Sequence, residues 1–321
     1  MNIKNIVMPK QKVKIVKLTD FSFPPEVFIP LKCGKFIDKF ISRKGGTMPG
    51  TITVVVGEPG SGKTTLLIDK MCGVETTNEN KDCLYISSEM NPIDNMELSE
   101  ELPQLMGLNT LYLSDYKNPK LAMEEALDMG WDYVILDSFA DTKDKVKDSD
   151  SCRISATAVE TWLISLLVKN AKGKNKKKKY TAFDVIQHYT KGGTYAGSTK
   201  IKHNTTGMMF VLIDEQTNER YIIYTKNRRG DVRKRLYMEL KDGELTYNER
   251  KYNDLEKAIK IQKEMDDYNI DSEDKLIDLL RVKKEEETKE TLGKSEDTID
   301  VDTIKLVNDI NQKEKMENVG S

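Results

Sequence analysis

The chain has four cysteines, two histidines and almost no net charge, and each shortage closes off a class of function. Cys33, Cys72, Cys83 and Cys152 form no C-x-x-C pair and have no histidine nearby, which argues against a zinc site and against a disulfide framework and points to a reducing compartment. Lys and Arg total 51 against 53 Asp and Glu, a formal charge of −2. No global field therefore draws in a polyanion, and any nucleic-acid site has to be local. Met1 to Phe21 alternates basic and apolar residues without the unbroken apolar centre or small-residue cleavage site of a signal peptide, and it is no membrane span. A soluble, cytoplasmic protein with no membrane partner is expected, in the host cytoplasm if the chain is viral. Arginine is also scarce among the basic residues, so the placement of each one matters.

Against these shortages stands one dense stretch, Thr51 to Asp69, TITVVVGEPGSGKTTLLID. A β-branched apolar run meets a glycine-rich loop and then an apolar helix start, the pattern G-x-x-x-x-G-K-[ST] in its expected context. Gly57, Glu58, Pro59, Gly60, Ser61, Gly62, Lys63, Thr64 and Thr65 form the cradle. The glycines let backbone N–H groups turn inward around a polyphosphate, and Lys63 brings charge to the β- and γ-phosphates. Thr64 is placed to ligate Mg²⁺, and the helix opening near Lys63 adds its dipole. ATP and Mg²⁺ are the cofactors this pattern calls for.

At 321 residues the chain accommodates a large α/β domain with an appendage. Val13 to Leu18 reads as a short leading strand and Cys33 to Ile41 as an amphipathic helix. Strands are expected near Ile52 to Val56, Cys83 to Ser87, Thr110 to Leu113, Tyr133 to Leu136 and Ala182 to Ile186. Helices are expected near Thr64 to Met71, Leu121 to Met129 and Ala156 to Val168. This alternation predicts a mostly parallel sheet with helices on both faces. After Gly207 come strands in succession, Met208 to Ile213, Tyr221 to Thr225, Arg235 to Leu240 and Leu245 to Tyr247, expected as antiparallel hairpins at the sheet edge. The reading divides the chain into an arm (1–32), a core (33–249) and a charged, helical or partly disordered extension (250–321), the last a candidate docking element. No internal repeat is visible.

Three strand ends carry acid–base candidates. DYVILD ends in Asp137, a carboxylate placed to hold Mg²⁺ through water. YISSEM presents Glu89, either a base for the attacking water or a surface residue capping a helix near Asn91. DVIQHYTK presents His188, either a structural imidazole or a γ-phosphate sensor. The loop that follows, KGGTYAGSTKIKH, offers Lys191, Gly193, Tyr195, Gly197, Lys200 and Lys202, suited to a single-stranded DNA backbone with Tyr195 stacking on a base; a solvated loop is the alternative. Lys172 to Lys179, KGKNKKKK, adds a basic run. Lys226 and Arg228 in KNRRG read either as a basic hairpin turn or as an arginine finger reaching a neighbour's ATP.

In the order GEPGSGKTT, YISSEM, YVILDS, HYTKGGTYAG, YTKNRRG, the stretch from about Cys33 to Tyr247 resembles the RecA-fold P-loop ATPases, and among them the RadA/Sms DNA-repair proteins and the DnaB-type hexameric helicases. The resemblance implies Glu89 as the water-activating base, Asp137 as the Mg²⁺-associated acid and His188 as the sensor. It also implies Lys226 and Arg228 as residues inserted into the adjacent protomer's site, and Lys191, Gly193 and Gly197 as part of the DNA loop. The chain departs from RadA in lacking cysteines for the N-terminal zinc ribbon, in a charged helical C-terminus where RadA has a protease-like ring domain, in Arg229 where an aromatic often follows Lys-Asn-Arg, and in the extra Lys172 to Lys179 run. The expected function is a Mg²⁺-ATP-driven translocase or helicase on single-stranded DNA in replication, recombination or repair, working as a homo-oligomer, a hexameric ring by preference. A filament-forming RecA-class recombinase and a non-motor ATP-dependent module of the same fold are the alternatives.

Overall fold

The structure, a computed structural model, describes residues 15–149, 155–188, 199–215, 217–241 and 244–267. Its elements in chain order are α1 (Ile37–Ile41), β1 (Ile52–Gly57), α2 (Lys63–Thr77), β2 (Cys83–Ser87), α3 (Pro92–Glu101), β3 (Thr110–Tyr112), α4 (Pro119–Asp128), β4 (Tyr133–Asp137), α5 (Phe139–Asp148) and α6 (Ala156–Ala171). There follow β5 (Ala182–His188), α7 (Thr199–Asn204), β6 (Gly207–Ile213), β7 (Arg220–Asn227), β8 (Arg235–Lys241), β9 (Glu244–Tyr247) and α8 (Glu249–Asp267). The strands make a single nine-stranded sheet in the order β3-β2-β4-β5-β1-β6-β7-β8-β9.

Strand β1 shows why the β-branched run is needed. All six of its residues are buried, because helices cover both faces of the sheet. Val55 packs with Leu66, Leu67 and Met71 of α2, while Val54 and Val56 pack on the other face with Leu163 and Leu167 of α6 and Leu127 of α4. Full burial of each such side chain is worth about 1.5–3 kcal/mol, so alternation between two apolar faces fixes the register of this strand firmly. The flanking helices start where their caps direct. Asn118 accepts from Leu121 N ahead of Pro119, and Ser155 accepts from Ala158 N.

The expected strands and helices are present, with informative differences. Met208 to Ile213 forms the expected antiparallel hairpin with β7, and its other edge pairs in parallel with β1, Thr53 opposite Gly207 and Val56 opposite Phe210. Antiparallel pairing starts only with β7. The chain enters β6 through α7, so the end of the expected loop, from Thr199 to Asn204, is a short helix that brings the chain back to the start of the sheet. The leading strand is not formed in its described part: Leu18–Asp20 is a 3-10 turn, and Val13 and Lys14 lie outside the described residues. The helix expected from Cys33 begins later, at Ile37, because the Asp38 carboxylate accepts from the N–H groups of Cys33 (3.0 Å) and Gly34 (2.9 Å) and holds them in a turn. Of the extension, the first helix, α8, packs back through Tyr252, whose ring meets Phe36 and Phe40 edge-on.

The basic run is largely a clasp. Lys179 pairs with Asp82 (2.8 Å) and Asp132, Lys177 with Asp82 (3.3 Å) and Lys176 with Asp128 (3.5 Å). These carboxylates sit at the ends of β2, β4 and α4, so half of the charge expected to face DNA secures the entry to β5 instead. Deeper in the same region Lys70 of α2 pairs with Asp184 of β5 at 2.6 Å, their side chains 4% and 2% exposed. Tyr133 donates to the same carboxylate at 2.5 Å.

A buried pair of this kind contributes through what is lost when one partner goes. Lys70→Met leaves the Asp184 carboxylate without its cation and is expected to destabilise the protein by about 3–5 kcal/mol in urea unfolding. Lys70→Met with Asp184→Asn should recover most of that loss. A single variant as stable as the parent would show the pair to be without consequence.

Candidate nucleotide site

Gly57 ends β1 where no side chain fits. A Cβ there would stand 2.5 Å from the carbonyl oxygen of Val211 in β6 and 2.7 Å from Ser61 Oγ. The loop therefore leaves the sheet pressed against β6. It enters α2 through Gly62, whose φ of 94° only glycine adopts without strain. Between them Lys63 folds back into the loop, its side chain 5% exposed and its Nζ donating to the carbonyls of Gly57 (3.0 Å) and Glu58 (2.7 Å). Burial lowers the Lys63 pKa, and Asp137, Glu89 and Glu58 oppose that shift.

Asp137 ends β4, two strands away from β1 across β5. Its Oδ2 accepts from Thr64 Oγ1 at 2.8 Å and from Tyr85 OH at 3.0 Å, and its Oδ1 is buried with no hydrogen-bond partner. Burial raises the carboxyl to about 6; Glu89 adds to the rise, and the bonds from Thr64 and Tyr85 work against it. A hydroxyl and a carboxylate in contact, with one carboxylate oxygen unbonded, is a hard-oxygen donor set that fits Mg²⁺. Thr64 would bind the ion directly and Asp137 would hold its water ligands.

Glu89 lies two residues beyond β2, which is separated from β1 by β4 and β5 and is not its neighbour. The turn carrying it is tied to the end of β4: Ser88 N donates to the Asp137 carbonyl (2.7 Å), and Ser88 Oγ to the carbonyls of Asp137 (2.9 Å) and Ser138 (3.0 Å). Glu89 itself is half-exposed, and its Oε2 lies 3.3 Å from His188 Nε2 at the end of β5. Asp141 joins them at 3.6 Å from the same nitrogen. Sequence reading did not single out Asp141, although Ser138-x-x-Asp141 is the signature of a helix start and would have revealed both α5 and this residue. Glu89, Asp137 and His188 are thus brought together beside the P-loop, from three different strands.

Lys226 and Arg228 lie elsewhere. Asn227 pairs with Gly207, which lies opposite Thr53 near the start of β1, so the KNRRG turn stands at the opposite end of the sheet from the P-loop of its own chain. Lys226 Nζ is held by the carbonyls of Lys202 and Thr205 (2.6 Å) after α7, whereas Arg228 is exposed. Burial lowers the Lys226 pKa, as do the nearby charges of Arg228 and Lys202. Lys202 is exposed in the last turn of α7. Lys191, Gly193, Tyr195 and Gly197 lie outside the described residues, as does the side chain of Lys200.

The raised Asp137 carboxyl has a consequence for the nucleotide-free protein. A pKa above the unfolded value favours the protonated form in the fold, so its stabilising effect is present at low pH and is lost as pH rises through about 6. Asp137→Asn removes this loss while keeping an acceptor for Thr64 and Tyr85. Relative to the parent it should gain stability between pH 4 and pH 8, by on the order of 2–3 kcal/mol across that range. A stability difference that does not change with pH, in urea titrations at both values, would contradict the shift.

No protein-family model matches the chain. In sequence it is 30% identical over 199 residues to the DNA repair protein RadA of Listeria monocytogenes and 26% identical over 200 residues to that of Chlamydia muridarum. Those matches take in 62% and 61% of this chain but 41% and 40% of the relatives, so the chain spans about two-fifths of the length of the curated proteins it matches. Among solved structures, the KaiC-like protein PH0186 of Pyrococcus horikoshii superposes with a TM-score of 0.52 at 13% identity, over 68% of this chain and 98% of that one. Among the described residues no helix is long and apolar enough to cross a membrane. With the P-loop at the carboxyl end of β1 and the carboxylates of two further strands turned toward it, the chain is a P-loop protein of the RecA-type fold whose core is similar in sequence to bacterial RadA.

Proposed function

We propose that the protein is a Mg²⁺-dependent ATPase that acts on single-stranded DNA in repair or recombination, as a homo-oligomer in which each protomer completes its neighbour's site. The observation that carries this reading is the contact between Thr64 and Asp137 beside a buried Lys63, with Glu89 and His188 at the same end of the sheet. Lys63 would meet the phosphates, and Thr64 and Asp137 would hold a Mg²⁺ ion that supplies further charge neutralisation there. Glu89 takes the proton of the attacking water, and His188, in contact with Glu89, relays the state of the γ-phosphate to the loop beyond it. The similarity to proteins named for DNA repair supports the DNA substrate.

The position of the KNRRG turn supports action in trans. Arg228 stands at the start of β1 while its own phosphate loop stands at the other end, a separation of roughly 17–20 Å for a strand of this length. An exposed arginine there serves a second protomer and not its own nucleotide. A hexameric ring is the assembly we favour, since its heterologous interfaces close and give every site a neighbour.

Turnover of ATP with and without single-stranded DNA tests the reading. Lys63→Ala should lose hydrolysis by several orders of magnitude, and Glu89→Gln should bind ATP without hydrolysing it. Stimulation by DNA is expected in the parent; ATP turnover indifferent to DNA would instead indicate a non-motor module of the same fold, and filaments in negative-stain images would indicate a recombinase. Arg228→Ala and Lys63→Ala chains should each be nearly inactive alone and regain part of their turnover when mixed. Mixed assemblies that form, by native mass, yet stay inactive would rule out the simple trans arrangement.

A further inference from the structure

Strand β7 carries cations at both ends. Lys226 and Arg228 follow from the KNRRG motif, but Arg220 opens the strand at the other end, beside the P-loop. Its Cδ and Nε lie 3.7 and 3.9 Å from the point where a Cβ on Gly62 would stand, and Gly62 is the residue that caps α2. Arg220 is exposed, and among the described residues its guanidinium makes no ion pair or hydrogen bond. Acids are at hand but serve other groups: Glu219 pairs with Lys251 at 2.6 Å, and Asp214 lies 3.9 Å from Arg235 and accepts from Tyr237. The cation of Arg220 is left facing the loop.

The sheet order says which part of a nucleotide it would meet. Asp137, Glu89 and His188 come from β4, β2 and β5, all on one side of β1, while β7 lies on the other side beyond β6. The γ-phosphate belongs with the carboxylates and the imidazole, so the rest of the nucleotide extends toward β7. There a recess of about 450 Å³ opens next to Arg220, lined among others by Asn218, Met238, Tyr247 and Asn248. Its size is that of a small-ligand site, and its lining mixes apolar surface with the amides of Asn218 and Asn248 and the carboxylates of Glu219 and Glu239, groups that can hydrogen-bond a base.

We propose that Arg220 is a nucleotide-binding residue acting in cis, its guanidinium on the α- and β-phosphates and the base of a purine nucleotide in the recess beyond it. The proposal rests on the reading of the P-loop as an ATP site. One strand then serves two active sites, its own through Arg220 and its neighbour's through Arg228. A planar guanidinium suits the role because it can take two phosphate oxygens at once, which a lysine cannot.

The test is titration of fluorescent mant-ATP and mant-ADP against the full chain, the parent alongside Lys63→Ala, Arg220→Ala and Arg220→Gln. Arg220 is exposed, and the Gln variant keeps much of the stem over Gly62, so melting curves should match the parent. Arg220→Ala and Arg220→Gln should weaken ATP and ADP alike, by about tenfold or more. Equal binding by parent and Arg220 variants, with Lys63→Ala impaired, would overturn the role of Arg220 and leave the ATP site standing. Weakening of ATP alone would also overturn it, since that marks a contact to the γ-phosphate. A parent that binds neither nucleotide would remove the ATP reading itself and this proposal with it. Photolabelling by 8-azido-ATP should mark residues 237–248, and label confined to other segments would overturn the placement of the base.

Discussion

Strand β1 is buried on both faces and hydrogen-bonded on both edges, to β5 and to β6. A strand in that position has no freedom to slide or tilt, since a shift of one residue would exchange its two apolar faces and a shift of two would break both ladders. Whatever leaves its carboxyl end is therefore aimed by the whole core. The loop from Gly57 to Gly62 uses that rigidity: it is pressed against Val211 on one side and delivers Thr64 to Asp137 on the other. A phosphate cradle made of backbone N–H groups has little adaptability of its own, and its precision comes from the strand beneath it.

The charges around the loop are set in order by burial. Lys63 and Asp137 are both almost fully enclosed, and each is pushed toward its neutral form by the loss of water, the lysine downward and the aspartate upward. A Mg²⁺–polyphosphate complex at this site, as proposed, would reverse both penalties, giving Lys63 an anion and Asp137 a hydrated cation. The fold thus carries an electrostatic cost of burial at this end of the sheet. Lys70 and Asp184, equally buried, are paired with each other and with Tyr133, and so form a fixed strut between α2 and β5. The contrast separates a structural pair from a binding site by one physical criterion, whether the partner charge is already present in the chain.

The two ends of the sheet have different chemistry for a topological reason. Parallel strands β2, β4, β5, β1 and β6 bring their carboxyl ends, with Glu89, Asp137, His188 and the P-loop, to one edge. Strand β7 runs the other way, so its start is at that edge and its finish at the opposite one. A single antiparallel strand is enough to place one basic group near the loop and another far from it. The lysine-rich turn before β5 lies at the far edge as well, where Asp82, Asp128 and Asp132 bind much of its charge.

Local pattern determined a great deal of this protein. The P-loop and its strand and helix, nearly every strand position, and the acids at the ends of β2 and β4 follow from alternation, run length and glycine placement, because these depend on neighbours only a few residues away. The parallel pairing of Met208 to Ile213 with β1, on the edge opposite its hairpin partner β7, does not, since only the return through α7 sets that edge beside β1. The same holds for the lysine run, whose partners are as much as 97 residues distant in sequence, and for Asp141 and Arg220, ordinary charged residues until the fold sets one beside His188 and the other beside Gly62. The sequence by itself determined that a phosphate loop exists and which strand supports it. The tertiary structure alone decided which charges face that loop, because an ion pair depends on distance through space and charge carries no periodic signal along the chain.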